Sequence, residues 1–299
     1  MKVAYCVFLA LWLAGSSLLA QAEVARFATP DAAATAFVDA LGTEKADADK
    51  LAALLGDDWQ DFIPTEGIER RDVEAFLTFY RQRHQFETVG ERTHLVVGND
   101  PWTLPIPLVR DGDGWYFDAR AASEEIRLRR IGRNELSAIQ AAEAYHDAQM
   151  DYAEVDRNGD GVLEYAQRFI SSDGLHDGLY WPDEDGTDES PLGPLFGDEV
   201  QGDDWHGYHF RILTAQGPSA PGGAYDYRLG NAMSRGFALV AWPAQYGDSG
   251  VMSFMISHEG QIFQKDLGPE SEAIAKAMTR FDPDSSWTEV RVRRVTAQQ

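Results

Sequence analysis

The apolar positions divide the chain into a helical opening, a run of strands, one long helix and a strand-rich second half. Thr29-Pro30-Asp31 reads as a helix start, a capping hydroxyl followed by proline in the first turn, with Phe37, Val38 and Leu41 on the apolar face behind it. The pattern predicts a second helix over 47–55, stopped by Gly56. A third follows Arg70, where Val73, Phe76, Leu77 and Tyr80 recur at helical offsets. After Phe86 the period shortens. Residues 94–97 and 102–109 read as strands, the second at an edge or bulge because Pro105 and Pro107 cannot donate to a ladder. Asp111-Gly112-Asp113-Gly114 then turns the chain into a strand at Trp115-Tyr116-Phe117.

A long helix is expected over 122–152, with Ile126, Ile131, Ile139, Ala142 and Tyr145 as its apolar stripe. Gly132 weakens its middle and marks an expected bend where two domains meet. Arg127, Arg129, Arg130 and Arg133 make its early half basic, which reads as a packed spine between domains rather than a binding patch. Residues 181–204 read as a loop, with nine acidic residues between Asp183 and Asp204 and no Lys or Arg. Four strands follow at 208–213, 236–241, 251–256 and 261–264, the last two joined through Ser257-His258-Glu259-Gly260. A short helix at 271–278 and an arginine-rich strand at 290–295 complete the expectation.

The opening segment changes the setting. Met1-Lys2 leads into an apolar run from Val3 to Ala20, and Ala20-Gln21-Ala22 is a small-x-small cleavage signal, so the expected signal peptide is 1–22. The rival is a retained anchor, since the run approaches the length of a membrane span. On the first reading Cys6 leaves with the signal, and the mature chain has no disulfide, thiol nucleophile or cysteine metal site. Loss of the single lysine in 1–22 moves the formal net charge from −23 to −24. That charge disfavours nucleic acid and anionic membranes as partners. It suits a soluble protein, a cation-binding one or one that meets a basic partner.

The chain resembles a family of secreted bacterial proteins catalogued as domain of unknown function 2950. The resemblance rests on Phe27-Ala28-Thr29-Pro30, Pro105-Ile106-Pro107-Leu108, Arg130-Ile131-Gly132-Arg133-Asn134-Glu135 and the run from Asp160 to Ala166. It continues through Gly178-Leu179-Tyr180-Trp181, the run from Tyr208 to Gly217, Gly222-Gly223-Ala224-Tyr225-Asp226-Tyr227 and Ala241-Trp242-Pro243. It implies secretion and no catalytic residue. Residues 26–118 also resemble the nuclear-transport-factor-2-like cone, helices on a curved sheet. Residues 130–265 resemble the globular region of type II secretion pseudopilins, with Asn134-Glu135 opening a helix and Tyr165-Ala166 in the loop that follows. In pseudopilins the helix begins as an apolar N-terminal segment, whereas here it follows a domain and starts with arginines. The expected fold class is α+β: a helix-plus-curved-sheet domain at 23–120, then a long connecting helix and a pilin-like antiparallel-sheet domain within 121–299.

Four features carry chemistry, each with a plainer alternative. Gly247-Asp248-Ser249-Gly250 resembles the nucleophile loop of chymotrypsin-type proteases, but that chemistry needs a base and an orienting acid, and the same residues make an ordinary tight turn. His206 and His209 are three apart, and on a continuous strand they would point to opposite faces rather than converge on zinc. Trp181, Trp205, Tyr208, Tyr225 and Trp242 could stack on sugar or anchor a peptide, or fill the core beneath the acidic loop. Finally, Asp156, Asn158, Asp160, Glu164 and Gln167 occupy positions one, three, five, nine and twelve of a twelve-residue loop with Gly161 sixth, an order that resembles a calcium-binding EF-hand loop. Position twelve departs from that pattern, because Gln167 offers one neutral oxygen where a bidentate Glu is usual. The alternative is a solvated turn whose side chains cap backbone amides.

The functional expectation is a non-enzymatic binding or assembly factor of the bacterial cell envelope, periplasmic or secreted. Its expected partner is an envelope protein or glycan, with no nucleic acid and no stable membrane insertion after signal cleavage. Its cofactor, if any, is a structural calcium ion. The alternative is a periplasmic hydrolase acting on peptide or glycan.

Overall fold

The computed structural model describes residues 24–65, 68–182, 189–193 and 204–290. The expected signal, most of the acidic loop and all but the first residue of the strand expected at 290–295 lie outside the described residues. The chain is α+β and divides into two compact units, Met1–Ile126 and Arg127–Gln299. The boundary falls inside one helix, six residues beyond the division expected from sequence.

In the first unit, α1 (Pro30–Leu41) starts where Thr29 Oγ1 accepts the Ala32 amide at 3.1 Å. α2 (Ala48–Leu55) is capped by Asp47 and ends at Gly56, whose φ of 97° suits glycine. α3 (Arg70–Gln82) follows a short 3-10 turn at Trp59–Asp61. Five strands then form one antiparallel sheet: β1 (His84–Val89), β2 (Arg92–Val97), β3 (Trp102–Thr103), β4 (Leu108–Asp111) and β5 (Gly114–Phe117). The order is β1-β2-β4-β5, with β3 on β2.

Two strand expectations need correction. β1 begins at His84, before the expected change of period, and most of it is exposed, so no apolar alternation announces it. The strand expected over 102–109 is split into β3 and β4, with Pro105 and Pro107 between them, as their missing N–H groups require. The core of this unit gathers Phe37, Leu54, Leu55, Leu95, Leu108 and Phe117 from helices and sheet.

α4 (Ala119–Tyr152) runs unbroken for 34 residues, through Gly132. Ile131, Ala138, Ala142, Tyr145, Gln149 and Tyr152 are buried along it, which is the spacing of one helix face. The second unit's sheet is antiparallel in the order β12-β11-β10-β9-β6. Its strands are β6 (Tyr208–Leu213), β9 (Ala238–Pro243), β10 (Met252–Ser257), β11 (Ile262–Asp266) and β12 (Thr288–Glu289), and β7 (Ala215–Gln216) pairs β8 (Tyr225–Asp226) beside them. All six residues of the central strand β9 are buried, so it shows no alternation. The expected hairpin is β10–β11, and α5 (Ser271–Ala277) lies where a short helix was expected. The core joins Tyr145, Phe237, Leu239, Phe254 and Phe281.

Two of the arginines of α4 are engaged within this unit. Arg127 donates to the Gly247 carbonyl, and Arg130 pairs with Asp248. Asn134 Nδ2 donates to the Ser249 carbonyl at 2.9 Å. The basic run therefore holds the turn between β9 and β10.

Candidate functional site

The cavity of about 770 Å³ in the first unit is lined from α1, α3 and the β2–β3 turn. α3 is fixed at its start by a reciprocal cap, in which Asp72 Oδ2 accepts the Glu69 amide at 2.8 Å. One side of the helix puts Leu77 into the core. The adjoining side carries Val73, Phe76 and Phe79 into the cavity wall. Phe37 supplies the floor, and its ring meets Phe76 edge-on at 6.2 Å; Phe76 in turn meets Trp102 edge-on at 5.9 Å. A ladder of rings thus climbs from the core to the surface. At its outer end Ile68, Phe79 and Trp102 are 54%, 43% and 45% exposed. Large apolar side chains gathered at that exposure mark a binding surface more often than chance scatter does.

The turn after β2 brings the polar groups. Gly98 has φ of 85°, and a Cβ there would lie 3.1 Å from the Asp100 carbonyl and 3.5 Å from Phe79. Glycine at that point lets the chain turn tightly under Phe79 and place Asn99 and Asp100 on the rim beside Trp102. Gln82, from the last turn of α3, is the other amide in the lining. A mostly apolar concavity with a few polar groups at its edge is the usual form of a small-molecule site. The sequence reading placed Val73 and Phe76 at helical offsets and passed over Phe79. The available signal was width: Val73, Phe76, Leu77, Phe79 and Tyr80 cover more of the helix than one core contact requires.

The residues singled out by chemistry lie in the second unit. Trp181, Tyr208 and Trp242 are at most 4% exposed and belong to the core, so they present no open ring face. Tyr208 donates to the Met252 carbonyl at 2.8 Å, and burial pushes its phenol well above the ordinary range. Tyr225 packs on that core and Trp205 is half-buried beside Phe210, so the five rings do not share one surface. Tyr225 instead joins His258, with 3.3 Å between its Oη and His258 Nε2, and burial lowers the imidazole's pKa. His258 Nδ1 is buried without a hydrogen-bond partner. The neutral ring is therefore favoured, since protonation would bury an unsatisfied charged donor.

The loop from Asp156 turns its side-chain oxygens onto its own backbone amides. Asp156 accepts the amides of Gly159 and Gly161, each at 2.8 Å, Asn158 accepts that of Asp160 at 3.0 Å, and Asp160 accepts that of Val162 at 2.9 Å. Asn158 Nδ2 donates to Glu164 at 2.7 Å. The Gly161 and Gly159 amides hold the Asp156 carboxyl below its ordinary value; burial, then Asp160 and Asp156, raise that of Glu164. Gln167 points elsewhere and donates to the Asn231 carbonyl at 2.7 Å. Among the described residues no group of three His, Cys, Asp or Glu side chains is placed to hold a metal ion.

Ser249 is a turn residue. Its hydroxyl donates to the Gly207 carbonyl at 2.8 Å and accepts the Gln245 amide at 2.9 Å. His206 lies before β6 with φ of 50°, so it and His209 do not share a strand. No helix among the described residues is long and apolar enough to cross a membrane.

Comparison with the curated proteins and with the solved structures finds no match. The model of one family, described as protein of unknown function (DUF2950), matches residues 24–290. That span takes in the groove, the arginine-bearing helix and the second sheet, and the chain belongs to the DUF2950 family.

Proposed function

We propose that this chain is a non-enzymatic binding factor of the bacterial cell envelope, exported and acting in the periplasm or outside the cell, which holds an apolar ligand in the groove of its first unit. The observation that carries the reading is the ring ladder from Phe37 through Phe76 to Trp102, open at its outer end beside Phe79 and Ile68. Leaving such side chains in water forgoes roughly 1.5–3 kcal/mol for each one that a ligand would fully cover. The reading includes the two likenesses of shape, a cone-like first domain and a pilin-like second. Element order supports them: three helices before an antiparallel sheet, then a long helix before antiparallel strands. A hydrolase on peptide or glycan is the alternative, and the engagement of the Ser249 hydroxyl with Gly207 and Gln245 weighs against the one nucleophile motif it had.

The test is to purify the chain from intact envelopes under mild conditions, extract it with solvent and identify what it carries. A stoichiometric apolar compound, absent from an Ala75→Trp variant with a filled groove, is the expected result. A chain that carries nothing, and whose calorimetric titration with apolar probes is flat, overturns the reading.

A further inference from the structure

We infer that the first-unit groove selects amphiphiles with a protonated amine head, and discriminates against acids of the same chain length. This inference rests on the binding reading above and names the ligand class for the same site. The cavity volume, about 770 Å³, falls in the range of drug-sized ligands, roughly 300–1,000 Å³. Its lining is apolar except for Asp72, Gln82, Asn99 and Asp100, and includes no Lys, Arg or His. A carboxylate or phosphate head at this exposed rim would meet no cation and would stand against two like charges.

The two acids are not equivalent. Asp72 is occupied by the helix cap, and Arg71 lies 3.8 Å from its other oxygen. Asp100 has no side-chain hydrogen bond or ion pair among the described residues, and it sits two positions before Trp102 on the same turn. An ammonium lodged there meets a carboxylate and an aromatic face together, and each attracts a cation. The Asn99 and Gln82 amides offer further carbonyl oxygens to its N–H groups. The alkyl or ring body then lies along Phe79, Phe76 and Phe37, with Ile68 and Val73 closing the side.

Isothermal calorimetry with decylammonium, decanol and decanoate, all below their micelle concentrations, tests this on the full chain. Decylammonium and decanol share a ten-carbon alkyl body, and decanoate has nine carbons beyond its carboxylate. That difference accounts for about fourfold of the gap between the amine and the acid; the salt response and Asp100→Asn report the charge effect. The expected order is decylammonium, then decanol, then decanoate, with about tenfold between the extremes at low salt, from about fivefold or less for each exposed charge interaction. Added salt should narrow that gap. Asp100→Asn should narrow it, and Asp113→Asn, outside the lining, should leave all three as they are. Equal affinities, or decanoate the tightest, overturn the amine selectivity but leave an apolar binding groove standing. Failure of all three probes, with Ala75→Trp titrating no differently, overturns both.

Discussion

Gln149 pairs with Ala166 as one strand residue pairs with another: its Nε2 donates to the Ala166 carbonyl and its Oε1 accepts the Ala166 amide, both at 2.8 Å. The glutamine is fully buried on α4, 17 positions away in the chain. Its amide also donates to Tyr145 Oη at 2.9 Å, and Tyr145 donates to the Ala238 carbonyl at 3.3 Å. One side chain thereby ties the long helix to the loop and, through a tyrosine, to the central strand. Gln149→Ala would leave both Ala166 groups unsatisfied. The expected loss is about 3 kcal/mol, since each orphaned buried group costs about 1–3 kcal/mol. Urea unfolding should show a lower midpoint at unchanged slope. Gln149→Glu should also destabilise, because a carboxylate has no proton for the Ala166 carbonyl.

A second tie lies one turn beyond the arginines. Glu135 Oε1 accepts the amides of both Val251 and Met252 at 3.0 Å, receiving the chain as it enters β10. Glu135→Ala should cost about 2 kcal/mol, the scale of hydrogen bonds to a charged group. Glu135→Gln should cost less, because an amide oxygen can accept the same two bonds. Thermal melts of the pair decide it, and equal losses would count against the assignment.

Gly250 is needed for space. A Cβ there would lie 2.6 Å from Tyr208 Cζ, and the tyrosine cannot step aside without giving up its bond to the Met252 carbonyl. Gly250→Ala should destabilise by about 1–3 kcal/mol, the cost of overpacking a filled interior. The Ser249→Ala variant beside it should be milder, since it only removes the hydroxyl that closes the turn. Comparing the two melts separates a steric cause from a hydrogen-bonding one.

The Asp156 loop should weaken in acid. The Asp156 carboxyl is held below its ordinary 3.8 by the Gly161 and Gly159 amides, so its contribution is present above that value. It is lost as pH falls through the lower value of the folded chain. Glu164 has the opposite sign: its raised pKa means that ionising it costs stability as pH rises through the window above its ordinary 4.5. Asp156→Asn should flatten the acid limb of the stability curve, and Glu164→Gln the limb above it. Repeating the melts with calcium and with chelator tests the calcium expected from the loop's residue order. An ion bound by the folded chain raises the melting temperature, and Asp160→Ala should remove that rise. Coincident curves make the loop a capped turn.

Where a cap or a run of several apolar residues decides an element, the sequence alone determined it. Thr29 and Asp47 start α1 and α2, and Gly56 ends the second, because hydrogen bonds within three or four residues settle those ends. The β10–β11 hairpin was legible for the same reason, its turn residues lying between two apolar runs. Only the tertiary structure decided the rest. β1 is an exposed strand whose pairing with β2 supplies what its own pattern lacks. Trp181, Tyr208 and Trp242 became core rather than an aromatic surface because ring chemistry suits either place and only packing chooses. Phe79 and Trp102 line one groove though 23 positions apart, and nothing local to either announces the other. Gln149 falls on the apolar stripe of α4, four positions beyond Tyr145, but only the fold brings Ala166 against it to bond its amide. Local hydrogen bonding is written in short words of sequence; burial and convergence depend on which distant segments the fold brings together.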